Sequence, residues 1–165
     1  MNAMPLLILT GLLLVTEPEH DPAEPVVETT AEMYGIDVDA VPMDPEYVSH
    51  VCEVCESYML DPAILFAMMW QESRFTPDAV GDHGQSFGIL QIKRKWHEER
   101  IQRLGVTDLF SEWQEIYVAC DYLAEIRETY PNYRQMLTVY RYGDLNVTGE
   151  DYAGTVLAKA NEFRK

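Results

Sequence analysis

The sequence predicts an all-α domain, and three observations carry that reading. Asp44-Pro45 and Asp61-Pro62 are two copies of one helix-start signal, an N-cap acid followed by Pro at the first helical position. Apolar residues recur at three- and four-residue spacing through most of the chain after residue 44. No segment alternates as a strand would, and no internal repeat is visible. The chain has 165 residues, 47% of them hydrophobic, which suits one domain with one packed core.

Each element follows from local chemistry. The first helix runs from Pro45 to about Met59, with Val48, Val51, Cys52, Cys55 and Met59 on one face. The second starts after Asp61, carries Ile64, Leu65, Met68 and Met69, and continues through Trp70-Gln71-Glu72-Ser73. Thr76 to Gly88 contains Pro77, Gly81, Gly84 and Gly88 and reads as loop. Lys95 to Leu104 reads as a short helix stopped by Gly105. Ser111 with Gln114 resembles a capping box opening a helix to about Thr129, with Trp113, Ile116, Ala119, Cys120, Leu123 and Ile126 inward. Asn132 with Gln135 opens another, ending near Tyr142-Gly143. The last, Glu150 to Phe163, sets Tyr152, Val156 and Ala160 on one face.

Charge is distributed unevenly. Lys and Arg total 12 against 28 Asp and Glu, a formal net charge of -16. Such a chain repels phosphate backbones and anionic membrane surfaces, which disfavours a nucleic-acid binder. Glu17 to Asp44 holds nine of the acids, four prolines and no Lys or Arg. Residues 16–44 therefore read as an extended acidic linker between a hydrophobic segment, 1–15, and a catalytic domain, 45–165. Pro5 to Val15 suits the apolar stretch of a secretory signal or a membrane tether, although no basic residue precedes it and no A-x-A-like site follows. The alternative is a short apolar helix packed on the domain. Cys52-Glu-Val-Cys55 lacks a second Cys pair or His cluster to complete a zinc site and reads as core. Lys93-Arg94-Lys95 with Arg100 and Arg103 reads as a solvated face, or as a contact for carboxylates of a substrate.

The chemistry sits at the end of the second helix. Glu72 follows Met68, Met69 and Trp70 and precedes Phe75, surroundings that make ionisation costly and raise its pKa. A raised Glu is what a general acid needs near neutral pH. The loop Gly81-Asp-His-Gly-Gln-Ser-Phe-Gly-Ile-Leu-Gln91 adds glycines that admit a bulky ligand, and neutral donors in Ser86 and Gln91 that suit sugar hydroxyls and amides.

Glu72-Ser73-Arg74-Phe75 followed by Gly84-Gln-Ser86-Phe-Gly88-Ile-Leu-Gln91-Ile92 resembles the lytic transglycosylase domain of the soluble type, which has a lysozyme-like fold. Ile116 to Leu123, Val139-Tyr140-Arg141-Tyr142-Gly143 and the Tyr152/Val156 pair match the family's later motifs in order. The flavour resembles the small domains coded by Gram-positive bacteria, their phages and mobile elements. The resemblance implies cleavage of peptidoglycan between N-acetylmuramic acid and N-acetylglucosamine, with Glu72 as both acid and base and a 1,6-anhydro end as product. It implies Tyr140 beside the catalytic Glu, and Ser73, Ser86, Gly88, Gln91 and Arg141 along the sugar sites. It implies no metal or cofactor. It further implies a monomer on the cell-wall side of the membrane, opening the wall for a secretion, conjugation or phage assembly. A lysozyme-type hydrolase and a non-catalytic wall-binding module are the alternatives. Arg141 and Glu115 stand where the family has Asn, Ala119 where it has Gly, and Leu90 where it has Met. Arg141 could fill a sugar subsite or pair with Glu72, which would lower the Glu pKa.

Overall fold

The computed structural model describes residues 30–147 and 149–165. The described residues form seven helices and one hairpin: α1 (Thr30–Met33), α2 (Pro45–Ser57), α3 (Pro62–Ser73), β1 (Val80–Gly81), β2 (Ser86–Phe87), α4 (Arg94–Leu104), α5 (Glu112–Thr129), α6 (Tyr133–Tyr142) and α7 (Tyr152–Ala160). One-turn 3-10 helices lie at Val38–Ala40 and Asn161–Phe163. The all-α expectation holds.

Helix α3 is the axis of the domain. All eight residues from Pro62 to Met69 are buried, so the helix is apolar all round and other helices enclose it. Its broadest contact is with α7, and α2 flanks it. The Asp-Pro starts work as read: Asp44 accepts from Glu46 N at 2.8 Å and Asp61 from Ala63 N at 2.9 Å. Helix α3 ends where Arg74 and Phe75 turn left-handed, with φ of 56° and 59°. That leaves Glu72 in the last turn. Asn132 caps α6, and Gly143 ends it with φ 76°. Cys52, Cys55 and Cys120 are free thiols in the core, as their apolar face implied.

Four expectations need correction. Residues 30–44 are not an extended linker. Ala31, Ile36 and Val41 are buried, and Ile36 bridges to Arg164. Asp37 N donates to Phe163 O and Lys165 N to Gly35 O, both at 2.9 Å. Three apolar anchors and this pairing outweigh the acidic composition, so the folded body includes Thr30 onward; residues 16–29 and the Pro5–Val15 run lie outside the described residues. Met59 is 77% exposed and left-handed, because α2 stops at Ser57. The Thr76–Gly88 loop contains an antiparallel hairpin, Val80 opposite Phe87 and Gly81 opposite Ser86, too short to show alternation. The Ser111 box does not form. Gln114 Oε1 instead accepts from Thr107 N at 2.8 Å, and Trp113 lies at the surface edge-on to Tyr47.

The loop after the hairpin is the element that positions the site. Phe87 and Ile92 exchange backbone hydrogen bonds of 3.1 and 2.8 Å, closing a tight turn over residues 88–91. Glu115 of α5, fully buried, holds that turn from below. Its Oε2 accepts from Ile89 N at 2.7 Å and its Oε1 from Leu90 N at 2.9 Å. Gly88 is required here: its φ is 80°, and a Cβ would fall 2.1 Å from Glu115 Oε2 and 2.3 Å from Leu109 O. Burial pushes the Glu115 carboxyl up to about 8, against the opposing pull of the Leu90, Ile89 and Ile92 amides.

The sign of the pH dependence follows. The folded pKa lies above the ordinary value, so the Glu115 contribution is full at low pH and declines as pH rises toward 8. Measured against Glu115→Gln by urea denaturation, wild-type stability should fall between pH 5 and 8, with a slope approaching about 1.4 kcal/mol per pH unit. A flat difference would show that the fold leaves this carboxyl unperturbed. Glu115→Ala, which strands two buried amides, should cost about 2–4 kcal/mol.

Candidate active site

Glu72 projects from the last turn of α3 with its side chain 7% exposed. Oε2 faces Arg141 Nη1 at 3.5 Å. Oε1 is buried without a hydrogen-bond partner, and so is the hydroxyl of Tyr152. The two groups interact without completing a bond of good geometry. Burial raises the Glu72 pKa, and Asp82 adds to the rise. Tyr152, Arg141 and Lys93 oppose it, in that order, and burial wins. A protonated carboxyl with an uncommitted buried oxygen is suited to donating a proton to an incoming group.

Two hollows meet at Arg141 and Tyr142, and Glu72 lines the smaller of them. A cleft of about 560 Å³ is lined by Gln91, Lys93, Trp96, Tyr122, Tyr140 and Arg141 among others. A smaller pocket of about 230 Å³ is lined by Gln71, Glu72, Glu150, Tyr152 and Thr155. Arg141 and Tyr142 line both, so they form the divide. Trp96 stands 70% exposed on the cleft rim, a flat apolar face of the kind that meets a sugar ring. The cleft floor is held by a network of side-chain contacts. His97 packs edge-on against Tyr122 with ring centres 4.7 Å apart, and its Nδ1 accepts from Arg100 Nη1 at 2.8 Å. Arg100 is bound in turn to Asp121 at 2.6 Å and to Glu125. Burial, helped by Arg100, holds His97 down to about 4, so it is neutral and structural. Arg100 is thus buried in this network rather than part of a solvated face.

The expected site residues divide into two groups. Glu72, Arg141 and Gln91 are brought to the hollows, and Arg141 makes the contact to Glu72 that its charge suggested. Gln91 also braces the loop, donating from Nε2 to Gly88 O at 2.8 Å and Ala79 O at 3.2 Å. Tyr140 lines the cleft but donates to Leu90 O at 3.4 Å rather than to Glu72. Ser73, Ser86 and Gly88 serve the scaffold. Ser73 Oγ donates to Ile89 O at 2.8 Å and accepts from Thr76 N at 3.1 Å. Ser86, 2% exposed, donates to Asp82 at 2.8 Å, and Asp82 pairs with Lys93 at 2.7 Å. Tyr152, Trp96 and Tyr122 were missed as site residues, whereas Lys93, offered as a contact for substrate carboxylates, does line the cleft. Tyr152 sat on a regular apolar face of α7, and only its hydroxyl hinted at more.

The transglycosylase SLT domain model matches residues 51–156, a span that contains Glu72 and the residues lining both hollows. Lysozyme g of Cyprinus carpio is 24% identical, and the match covers 72% of this chain and 73% of that protein. Lysozyme g of Casuarius casuarius is 23% identical with the same coverage. Among solved structures, an inactive mutant of lytic transglycosylase Slt from Pseudomonas aeruginosa shares the fold, with a TM-score of 0.54 at 18% identity. That match covers 74% of this chain and 21% of the Slt chain. With its lysozyme-like helical fold and a buried Glu72 lining a pocket beside Arg141, the chain belongs to the transglycosylase SLT domain family, enzymes that act on peptidoglycan.

Proposed function

We propose that the chain is a peptidoglycan lytic transglycosylase that cuts the β-1,4 bond between N-acetylmuramic acid and N-acetylglucosamine with Glu72 alone. The observation that carries this reading is the raised, buried carboxyl of Glu72 with one oxygen uncommitted. The protonated Glu72 donates its proton to the bridging oxygen, and the C1–O bond breaks. The resulting carboxylate takes the proton of the muramyl C6 hydroxyl, whose oxygen closes onto C1. The product is a 1,6-anhydro end, formed without water. Tyr152 stabilises the carboxylate between the two proton transfers.

Two of the surrounding acids are committed elsewhere, while Glu150 also lines the Glu72 pocket. Asp82 is tied to Lys93 and Ser86, and Glu115 is sealed under the loop. Neither is free to act as the second carboxylate that a paired-acid hydrolase uses. The lysozyme g relatives favour a second reading, hydrolysis with water as acceptor. A peptidoglycan substrate places the work on the cell-wall side, with a monomer, tethered through Pro5–Val15, serving a secretion, conjugation or phage assembly. Among the described residues no helix is long and apolar enough to cross a membrane.

Mass spectrometry of products from purified peptidoglycan tests the reading. Anhydromuramyl products should appear with the wild type and fall by about 10²–10⁴-fold with Glu72→Gln. Reducing ends in their place would assign the hydrolase. A second expectation concerns pH. The first step needs protonated Glu72, so activity is present below its pKa and lost above it. Tyr152→Phe removes the largest interaction that lowers this pKa, so the basic limb of kcat/KM should move to higher pH. Its stability should match or exceed that of the wild type, because the deleted hydroxyl is buried and unpartnered. A basic limb that stays in place would remove Tyr152 from the site.

A further inference from the structure

Arg141 is out of keeping with the rest of the molecule. The chain is strongly acidic, and most of its guanidinium groups are committed. Arg100 holds Asp121, Glu125 and His97, Arg103 grips both oxygens of Asp121, and Arg134 and Arg164 pair with Asp151 and Asp61. Arg141 is 45% exposed, and among the described residues its guanidinium makes one hydrogen bond, the 3.5 Å contact to Glu72 at the outer limit of such a bond. Its carbon lies 5.8 Å from the Tyr152 ring. Four of its five N–H donors are therefore uncommitted, and the fork fits a carboxylate bidentately. It stands on the divide between the cleft and the Glu72 pocket, where a strand crossing from one to the other must pass. Lys93, also half-exposed, lines the same cleft.

We infer that Arg141 is a specificity residue that binds a carboxylate carried by the muramyl side chain of the substrate, leaving Glu72 as it does so. The inference rests on the transglycosylase reading of the same site. Two sources offer that carboxylate: the lactyl group of strands stripped of peptide, and the isoglutamyl α-carboxylate of a peptide stem. The exchange also prepares the acid. Glu72 is faced by Arg141 and Tyr140 of α6, Tyr152 of α7, Lys93 and Asp82 of the loop region, and Glu115 of α5. Engaging Arg141 elsewhere removes one influence that favours the charged form of Glu72, and the arriving carboxylate adds one against it. An acidic strand thus switches its own cleavage on.

The test uses the full chain and two matched pairs of strands. One pair is peptide-free glycan with the lactyl group as free acid or as methylamide. The other is peptide-bearing glycan with the isoglutamyl carboxylate free or amidated. Wild type should turn over the acid form of at least one pair about tenfold faster in kcat/KM than its neutral form, and the responding pair identifies the source. Arg141→Asn should bring that ratio to within about twofold. On the preferred strand the basic limb should lie higher for kcat than for kcat/KM, and Arg141→Asn should close this gap, a change that a purely structural residue would not produce. A ratio near one for both pairs, or a preference that survives Arg141→Asn, overturns the inference. If no strand is cut, binding to Glu72→Gln decides. Acid-selective binding that disappears in the Glu72→Gln, Arg141→Asn double variant keeps the carboxylate site and removes only the catalytic reading. Binding blind to the carboxylate overturns the inference itself.

Discussion

The carboxyl of Glu115 is the interaction on which the site depends. Its two oxygens take the amides of Ile89 and Leu90, and the carbonyls of the same two residues accept from Ser73 of α3 and Tyr140 of α6. Four polar groups of one dipeptide therefore tie together the helix that carries Glu72, the helix that floors the cleft and the helix that carries Arg141. Every one of those groups would be costly to bury unpaired. The left-handed Gly88 lets the dipeptide approach the carboxyl closely enough for all four to be met.

Two glutamates share this interior and are given opposite treatment. Both are pushed upward by burial, and the charge of Glu72 adds to the rise at Glu115. Glu115 has its oxygens saturated by backbone amides, which fixes it in place. Glu72 keeps one oxygen without a partner, a cost the fold retains at a single functional position. The same chemical group thus becomes a clasp in one setting and an uncommitted buried carboxyl in the other, according to how its lone pairs are occupied.

Much of this was legible in the residues, for identifiable reasons. Asp44-Pro45, Asp61-Pro62 and Gly143 act through local backbone chemistry, so their signals survive folding. Glu72 was legible because its apolar neighbours in sequence are also its neighbours in the helix. Residues 30–44 misled because composition averages over a segment, whereas Ala31, Ile36 and Val41 act singly. Ser73 and Ser86 look like sugar donors in an inventory of side chains. Their partners, Ile89 O and Asp82, are set by how the loop folds back, which spacing does not reveal. Glu115 seemed a departure from a motif, and its function emerges only with the turn it supports. Tyr152 was hidden for the opposite reason, since its ring belongs to the apolar face of α7 and its hydroxyl to the site.

The pairing of Ile36 with Arg164, and of Gly35 with Lys165, brings the two ends of the described body side by side. Topologically the domain is close to a ring, fastened at one clasp away from the dipeptide that organises the cleft. Tension applied through the chain ahead of Thr30 would load the packing of α1 on α2 and then the clasp, in shear against the last residues, before the turn beneath Glu72. The clasp and the turn beneath Glu72 are thus separate fastenings, one closing the chain and one shaping the cleft.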